Sequence, residues 1–404
     1  MREESTAGGP RVSADRKPCA ILATPVLLAG GTETQTLTLA SVLLAAGWKV
    51  AVCCYHESDP AVVSAFEGAG ARVILLGLSR RLGLIGIALK LRGSFRALHP
   101  DVVHVQYLAP GFTAVLAARA AGVRIVFATV HQPGNVYGPR ERWLLRLSSR
   151  LCTAFFAVSA AVERSWFGDA ALFDPDLPHS GRRHGTIYNA VDAPGISDAG
   201  RGVDPAALRR SVDIAAAAPV LGFVGRLRRE KGLDVLIRAL PAVVVSFPDV
   251  RLLVVGEGPD SGALHELARS KGVLDRVVWM GMCGKLETWQ LLTAMDVAVI
   301  PSRFEGFGLA AAEAQAAGLP VVAADVDGLR EVIADGQTGL LVPPGNPSAL
   351  AEALVRLLGA PGMAEQMGRQ GRRRVRQLFA VERFARATLA FYDRALPSGA
   401  QGRS

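Results

Sequence analysis

The sequence has no uninterrupted apolar run near the ~20 residues of a membrane-spanning helix, which excludes a helical span. Aromatic residues are scarce at 6%, and no recognisable nucleic-acid motif is present. Nucleic acid is therefore the weakest anionic partner to expect. The five cysteines (Cys19, Cys53, Cys54, Cys152 and Cys283) form no C-x-x-C pair and no even framework. They read as buried or inert thiols of a reducing, cytoplasmic protein. The histidines (His56, His99, His104, His131, His179, His184 and His265) are scattered, and nothing resembles a ligand set, so no metal site is expected. The opening stretch MREESTAGGPRVSADRKP is polar and charged, unlike a secretory signal, and residues 1–17 read as a disordered tail.

What is present is enough for two cores. Half of the 404 residues are hydrophobic, a fifth are charged, and 43 are glycine. The net charge of +9 points to an anionic partner, either a phosphorylated metabolite or a membrane surface. From Cys19 onward, short β-branched runs alternate with helical periods, as in CAILATPVLLA, GGTE, then TQTLTLASVLLAAG. The pattern continues to AFFAVS, loses periodicity through GDAALFDPDLPHSGRR, and restarts at PVLGFVGRL after an Ala/Gly/Asp-rich connection. Such repeated βα units predict doubly wound parallel sheets.

The most informative stretch is VAVIPSRFEGFGLAAAEAQAAGLPVVA, Val297 to Ala323. Val297–Ile300 reads as a buried strand ended by Pro301, which has no N–H to give a ladder. A loop with Gly306 and Gly308 follows, then helix Leu309–Ala317, capped by Gly318 and barred by Pro320. The loop lies at a strand's carboxyl end, where open α/β sheets place ligands. Glu305 stands in it, and Glu313 stands among alanines, where a carboxylate needs a partner. Upstream, GRLRREKG sets Arg226 and Lys231 after another strand. There a planar fork and a point charge suit a diphosphate, although basic loops are usually only solvated.

The spacing E-x7-E in this context resembles the signature of family 4 retaining glycosyltransferases. The resemblance covers nearly the whole chain, most specifically residues 222–343. It implies the GT-B architecture, with two Rossmann-like doubly wound domains facing a cleft. Residues 18–195, joined by a returning helix at 380–396, would bind the acceptor. Residues 215–379 would bind a nucleotide diphosphate sugar, a UDP- or GDP-sugar. The implied roles are pyrophosphate binding for Arg226 and Lys231, sugar positioning for Glu305 and His131, and ribose binding for Glu313. Gly306, Phe307, Gly308 and Leu309 would line the donor, Gly258 of GEGPDSG the base, and Gly31 of GGTE the phosphates or acceptor. Two glycines of a tight turn explain GGTE equally well. GEGPDSG is one residue too long for a dinucleotide fingerprint, and the next strand, VVWMG, lacks the acidic residue after it. No cofactor and no metal are expected, since Arg226 and Lys231 can supply the countercharge. Asp327 departs from the family by replacing a glycine, which would narrow the approach to the nucleotide.

The expected reaction is same-face sugar transfer to an acceptor hydroxyl. A sugar-nucleotide epimerase, a glycoside phosphorylase and a non-catalytic sugar-nucleotide-binding subunit are the alternatives. Residues 71–100 carry Arg72, Arg80, Arg81, Lys90, Arg92 and Arg96 with no acidic residue. Leu84, Ile87, Leu91, Phe95 and Leu98 share a helical face there, and core packing explains that face best. The one-sided charge suits an anionic membrane surface and a lipid-linked acceptor.

Overall fold

The structure, a computed structural model, describes residues 16–106, 108–176 and 181–396. Nearly all of the expected tail, and His179, lie outside them. Seven strands build a first sheet: β1 (Cys19–Thr24), β2 (Lys49–Cys54), β3 (Arg72–Leu75), β4 (Val102–Gln106), β5 (Ile125–Val130), β6 (Ala154–Ala157) and β7 (His184–Thr186). Six build a second: β8 (Val220–Val224), β9 (Arg251–Val255), β10 (Val277–Gly281), β11 (Val297–Ile300), β12 (Val321–Ala324) and β13 (Gly339–Val342). The strand orders are β3-β2-β1-β4-β5-β6-β7 and β10-β9-β8-β11-β12-β13, with parallel pairing throughout. Each sheet therefore reverses its winding once, between β1 and β4 and between β8 and β11. Crevices at the carboxyl ends of such strand pairs are where open sheets bind ligands.

Burial on both faces explains the near-continuous apolar strands. In β1, Ile21 and Ala23 join one core while Ala20 and Leu22 join another, as the two-residue period of a strand requires. The last helix, Val381–Ala395, lies on the second of these faces. Tyr392 anchors it, edge-on to Trp48 at 5.2 Å and to Phe127 at 5.0 Å. Burial of an aromatic ring of this kind contributes about 1.5–3 kcal/mol. Arg386 on the same helix pairs with Asp176 at 2.8 Å, tying it to the aperiodic loop.

Several expectations need correction. β1 stops at Thr24 rather than running to Ala29, because Pro25 cannot donate to the ladder. GGTE is not a separate loop. Gly30 caps, and Gly31 begins, the helix Gly31–Ala45, whose first-turn N–H groups then face the sheet's carboxyl edge. A helix at Ala160–Phe167 escapes the periodicity reading, being only 8 residues long and directly behind a buried strand. The Ala/Gly/Asp-rich connection between the sheets carries helices Ala193–Gly200 and Pro205–Ser211, which its composition does not announce. On helix Gly83–Leu98 the core takes Ile87, Leu91 and Phe95, but Leu84 is 51% exposed and not part of that face.

All five cysteines are free, and burial pushes the Cys53 and Cys152 thiols up to about 12, so neither is a nucleophile at neutral pH. Among the described residues no helix is long and apolar enough to cross a membrane.

Candidate active site

The loops after β8 and β11, the strands at the second sheet's reversal, are pressed together. Gly232 sits at φ 71°, and a Cβ there would stand 2.0 Å from the Pro301 carbonyl oxygen. Only glycine permits both this backbone and this approach. The contact brings Lys231 Nζ to 2.7 Å from Glu305 Oε1, and Ser302 Oγ donates to the same oxygen at 2.9 Å. The other oxygen, Oε2, has no hydrogen bond among the described residues, so it can accept from a hydroxyl. A two-pronged pair, Arg303 to Asp234 at 2.8 Å and 2.8 Å, staples the loop to the start of helix Leu233–Ser246. Arg226, exposed on the β8 loop, forms no side-chain hydrogen bond or ion pair among the described residues. One engaged and one unengaged cation thus share the crevice, and both can face an anion.

Gly308, at φ 97°, caps helix Leu309–Ala317 and turns its N–H groups toward the same crevice. The Phe307 side chain points elsewhere. It is 3% exposed and packs on Phe379 at 5.1 Å and Tyr188 at 6.0 Å, so any contact with a ligand there comes from backbone. Gly258 lies against the β8 loop, since its Cβ would sit 2.3 Å from the Leu227 carbonyl oxygen. Its smallness lets the loop that carries Arg226 close down.

Glu313 finds the partners that its position demands. The Trp289 indole hydrogen-bonds to it and Lys285 lies nearby, with Nζ 4.4 Å from the Trp289 ring centre. Neither partner is visible from spacing. Desolvation by the surrounding helices outweighs both and pushes the carboxyl up to about 7. The folded chain therefore holds a proton that the unfolded chain has already lost. Stability is fullest below the usual carboxylate range and declines as pH rises through about 7. Glu313→Gln is expected to remove that decline, stabilising the chain by about 1–3 kcal/mol near pH 8. Melting curves across pH check this, and identical pH slopes for both chains would contradict it.

The first sheet contributes from across the crevice. Gly306 backs onto the His131 carbonyl oxygen, 1.9 Å from where its Cβ would be, and Gly31 approaches Leu309 Cδ1 at 3.0 Å by the same measure. His131 Nε2 meets Gln106 Oε1 at 2.8 Å. Burial pulls its imidazole down to about 3, so it acts as a neutral hydrogen-bonding group and not as a cation. His104, also neutral, is held between Tyr392 and Thr129 at 2.7 Å each, a structural role. Among the described residues no three His, Cys, Asp or Glu side chains cluster as a metal site.

Comparison with known proteins identifies the family. The family described as glycosyl transferases group 1 matches residues 205–374, and that described as glycosyltransferase family 4 matches residues 29–170. A glycogen synthase from Mycobacterium tuberculosis is 30% identical, with 91% of this chain and 92% of that protein covered. The chain belongs to the family 4 glycosyltransferases. A D-inositol 3-phosphate glycosyltransferase from Catenulispora acidiphila is 31% identical over 86% of this chain and 95% of its own. Among solved structures, Anabaena HepE in complex with UDP and glucose superposes with a TM-score of 0.78 at 21% identity, covering 93% of this chain and 99% of that one. The two-sheet architecture is thus GT-B. In this glycosyltransferase Asp327 is turned onto Arg330, 3.2 Å away.

Proposed function

We propose that this glycosyltransferase moves a sugar from a nucleotide diphosphate sugar to an acceptor hydroxyl, with retention of anomeric configuration and without a metal ion. The observation that carries the reading is the Lys231–Glu305 pair beside the unengaged Arg226, at the reversal point of the second sheet. Two cations there can neutralise a diphosphate as it leaves. Glu305 holds the transferred sugar through its unengaged oxygen, and Glu313 accepts from the ribose hydroxyls. Gly258 flanks the base, the Gly308–Leu309 N–H groups and Gly31 approach the phosphates, and His131 hydrogen-bonds to the sugar. Among these groups no carboxylate stands out as a nucleophile. The leaving phosphate oxygen then takes the acceptor proton as the new bond forms on the same face. HepE's complex with UDP and glucose supports the donor class. The relatives' names divide between a glycogen and an inositol phosphate acceptor, so the acceptor is assigned only as a sugar or lipid-linked hydroxyl.

Turnover of UDP-, GDP- and ADP-glucose, with and without acceptor sugars, tests the reading. Acceptor-dependent release of nucleoside diphosphate and an α-linked product by NMR are expected, undiminished in EDTA. A β-linked product would refute retention. An absolute Mg²⁺ requirement would refute sufficiency of the two cations. Isomerised donor, phosphate-dependent cleavage or no turnover would favour the epimerase, the phosphorylase or the silent subunit respectively.

A membrane-proximal acceptor has one specific support. Leu82, Leu84, Ile85 and Leu89 are exposed, Ile85 at 79%, on the acid-free basic stretch of residues 71–100. Each Lys or Arg at an anionic surface adds about 1 kcal/mol, and the exposed apolar side chains add burial. Co-sedimentation is expected with anionic but not neutral vesicles at low salt, and to be lost in Ile85→Ser/Leu89→Ser. Equal binding to both vesicles, or none, removes the membrane reading.

A further inference from the structure

We infer that Ser159 and Glu331 are positioning residues of the reaction, which together clamp the Glu305–Gly306 backbone against the first domain. The inference rests on the donor-binding reading of Glu305 above. Helix Ala160–Phe167 follows β6, and its first N–H groups have no partners within the helix. The Glu331 carboxylate, from helix Asp327–Val332 of the second domain, takes two of them: Ala160 N at 2.9 Å and Ala161 N at 2.5 Å. A carboxylate at the positive end of a helix is favoured electrostatically as well. Tyr188 adds its hydroxyl to the same carboxylate. Beside this contact the Ser159 hydroxyl donates to the Gly306 carbonyl at 2.6 Å.

Both contacts bear on the donor loop. Helix Asp327–Val332 lies directly on it, since a Cβ at Gly328 would stand 2.5 Å from the Glu305 carbonyl oxygen. The other end of that helix is fixed by Arg374, which donates to the Glu331 and Val332 carbonyls at 2.7 Å and 2.9 Å. Held at its carboxyl end by Arg374 and the Glu331 carboxylate, and packed at Gly328 on the Glu305 carbonyl, the helix cannot shift without moving the Glu305 backbone. Glu305 in turn holds Lys231. The first domain thereby sets the geometry of a charge pair that belongs wholly to the second.

The test compares Ser159→Ala, Ser159→Thr and Glu331→Gln with the unsubstituted chain. Release of nucleoside diphosphate from UDP-, GDP- and ADP-glucose and calorimetric affinity for UDP, GDP and ADP are measured in each. Turnover is expected to fall about 10²-fold in Glu331→Gln, the scale of a small misplacement of reacting groups. In Ser159→Ala it is expected to fall about fivefold to tenfold through loss of the bond to Gly306, while loss of the helix cap that the same oxygen gives Val162 N shows in the melting temperature. Ser159→Thr, which keeps the hydroxyl, retains turnover. Nucleotide affinity is expected to fall much less than turnover, because most of its contacts lie in the second domain and only Gly31 reaches the phosphates from the first. Unchanged turnover in the folded variants overturns the inference, as does a parallel loss of turnover and affinity that follows the melting temperature. If Glu331→Gln does not fold, the Ala/Thr comparison at position 159 decides. Failure of the unsubstituted chain to bind any of the three nucleotides tells against the donor reading instead. The clamp then has its own readout, since small-angle scattering is expected to show a larger radius of gyration in Glu331→Gln, and an unchanged radius overturns it.

Discussion

Lys231→Ala and Arg226→Ala are each expected to lower turnover about 10²–10³-fold, the scale of removing one electrostatic stabiliser of a developing charge. The two losses should arise differently. Lys231 is 28% exposed and paired with a Glu305 side chain that is 13% exposed. Its removal leaves a mostly covered carboxylate with only the Ser302 hydroxyl. That negative charge would then oppose the diphosphate, so Lys231→Ala should weaken donor binding as well as turnover. Arg226 has no partner to orphan among the described residues. Arg226→Ala should therefore leave the melting temperature unchanged while turnover falls. Rates with circular dichroism on each variant check both expectations. Near-normal turnover in either folded variant would remove that residue from the leaving-group site.

Gly306→Ala is expected to reduce turnover about 10²-fold through displacement of the donor loop. The new methyl would stand 1.9 Å from the His131 carbonyl oxygen, a main-chain atom of β5's outgoing loop that no rotamer change can move. The loop must retreat, taking with it the 2.6 Å contact between Ser159 and the Gly306 carbonyl. Gly262→Ala is the control, because among the described residues nothing beyond its chain neighbours and its own helix backbone lies within 4 Å of the added carbon. Equal rates in the two variants would show that the two domains do not need this close approach.

How much of this is legible in the sequence depends on what encodes each feature. The strand, helix and strand around E-x7-E are readable because breakers mark their ends, and they are observed at Val297–Ile300, Leu309–Ala317 and Val321–Ala324. Pro301, Gly318 and Pro320 act through their own covalent geometry, which needs no tertiary context. The architecture follows in the same way from repeated βα periods. Pairings across the fold do not. Lys231 and Glu305 are 74 residues apart, and nothing local says that this cation meets this carboxylate. Trp289 and Lys285 beside Glu313 are set by helix packing and leave no motif. Glu331, in LREVI, reads as an ordinary surface residue until helix Ala160–Phe167 is placed opposite it. Phe307 shows the reverse limit. Its motif implies donor contact, yet its ring is taken up by Tyr188 and Phe379.

The central claim is that Arg226, Lys231 and Glu305 form a diphosphate-sugar site that works without a metal ion. Thermal-shift titration of the chain with UDP, GDP and ADP in EDTA tests it most directly, with Arg226→Ala alongside. One of the three nucleotides, at about 100 times its dissociation constant, should stabilise the unsubstituted chain by about 2.7 kcal/mol, and the variant markedly less. No stabilisation by any of them, or stabilisation equal in the variant, would contradict the claim.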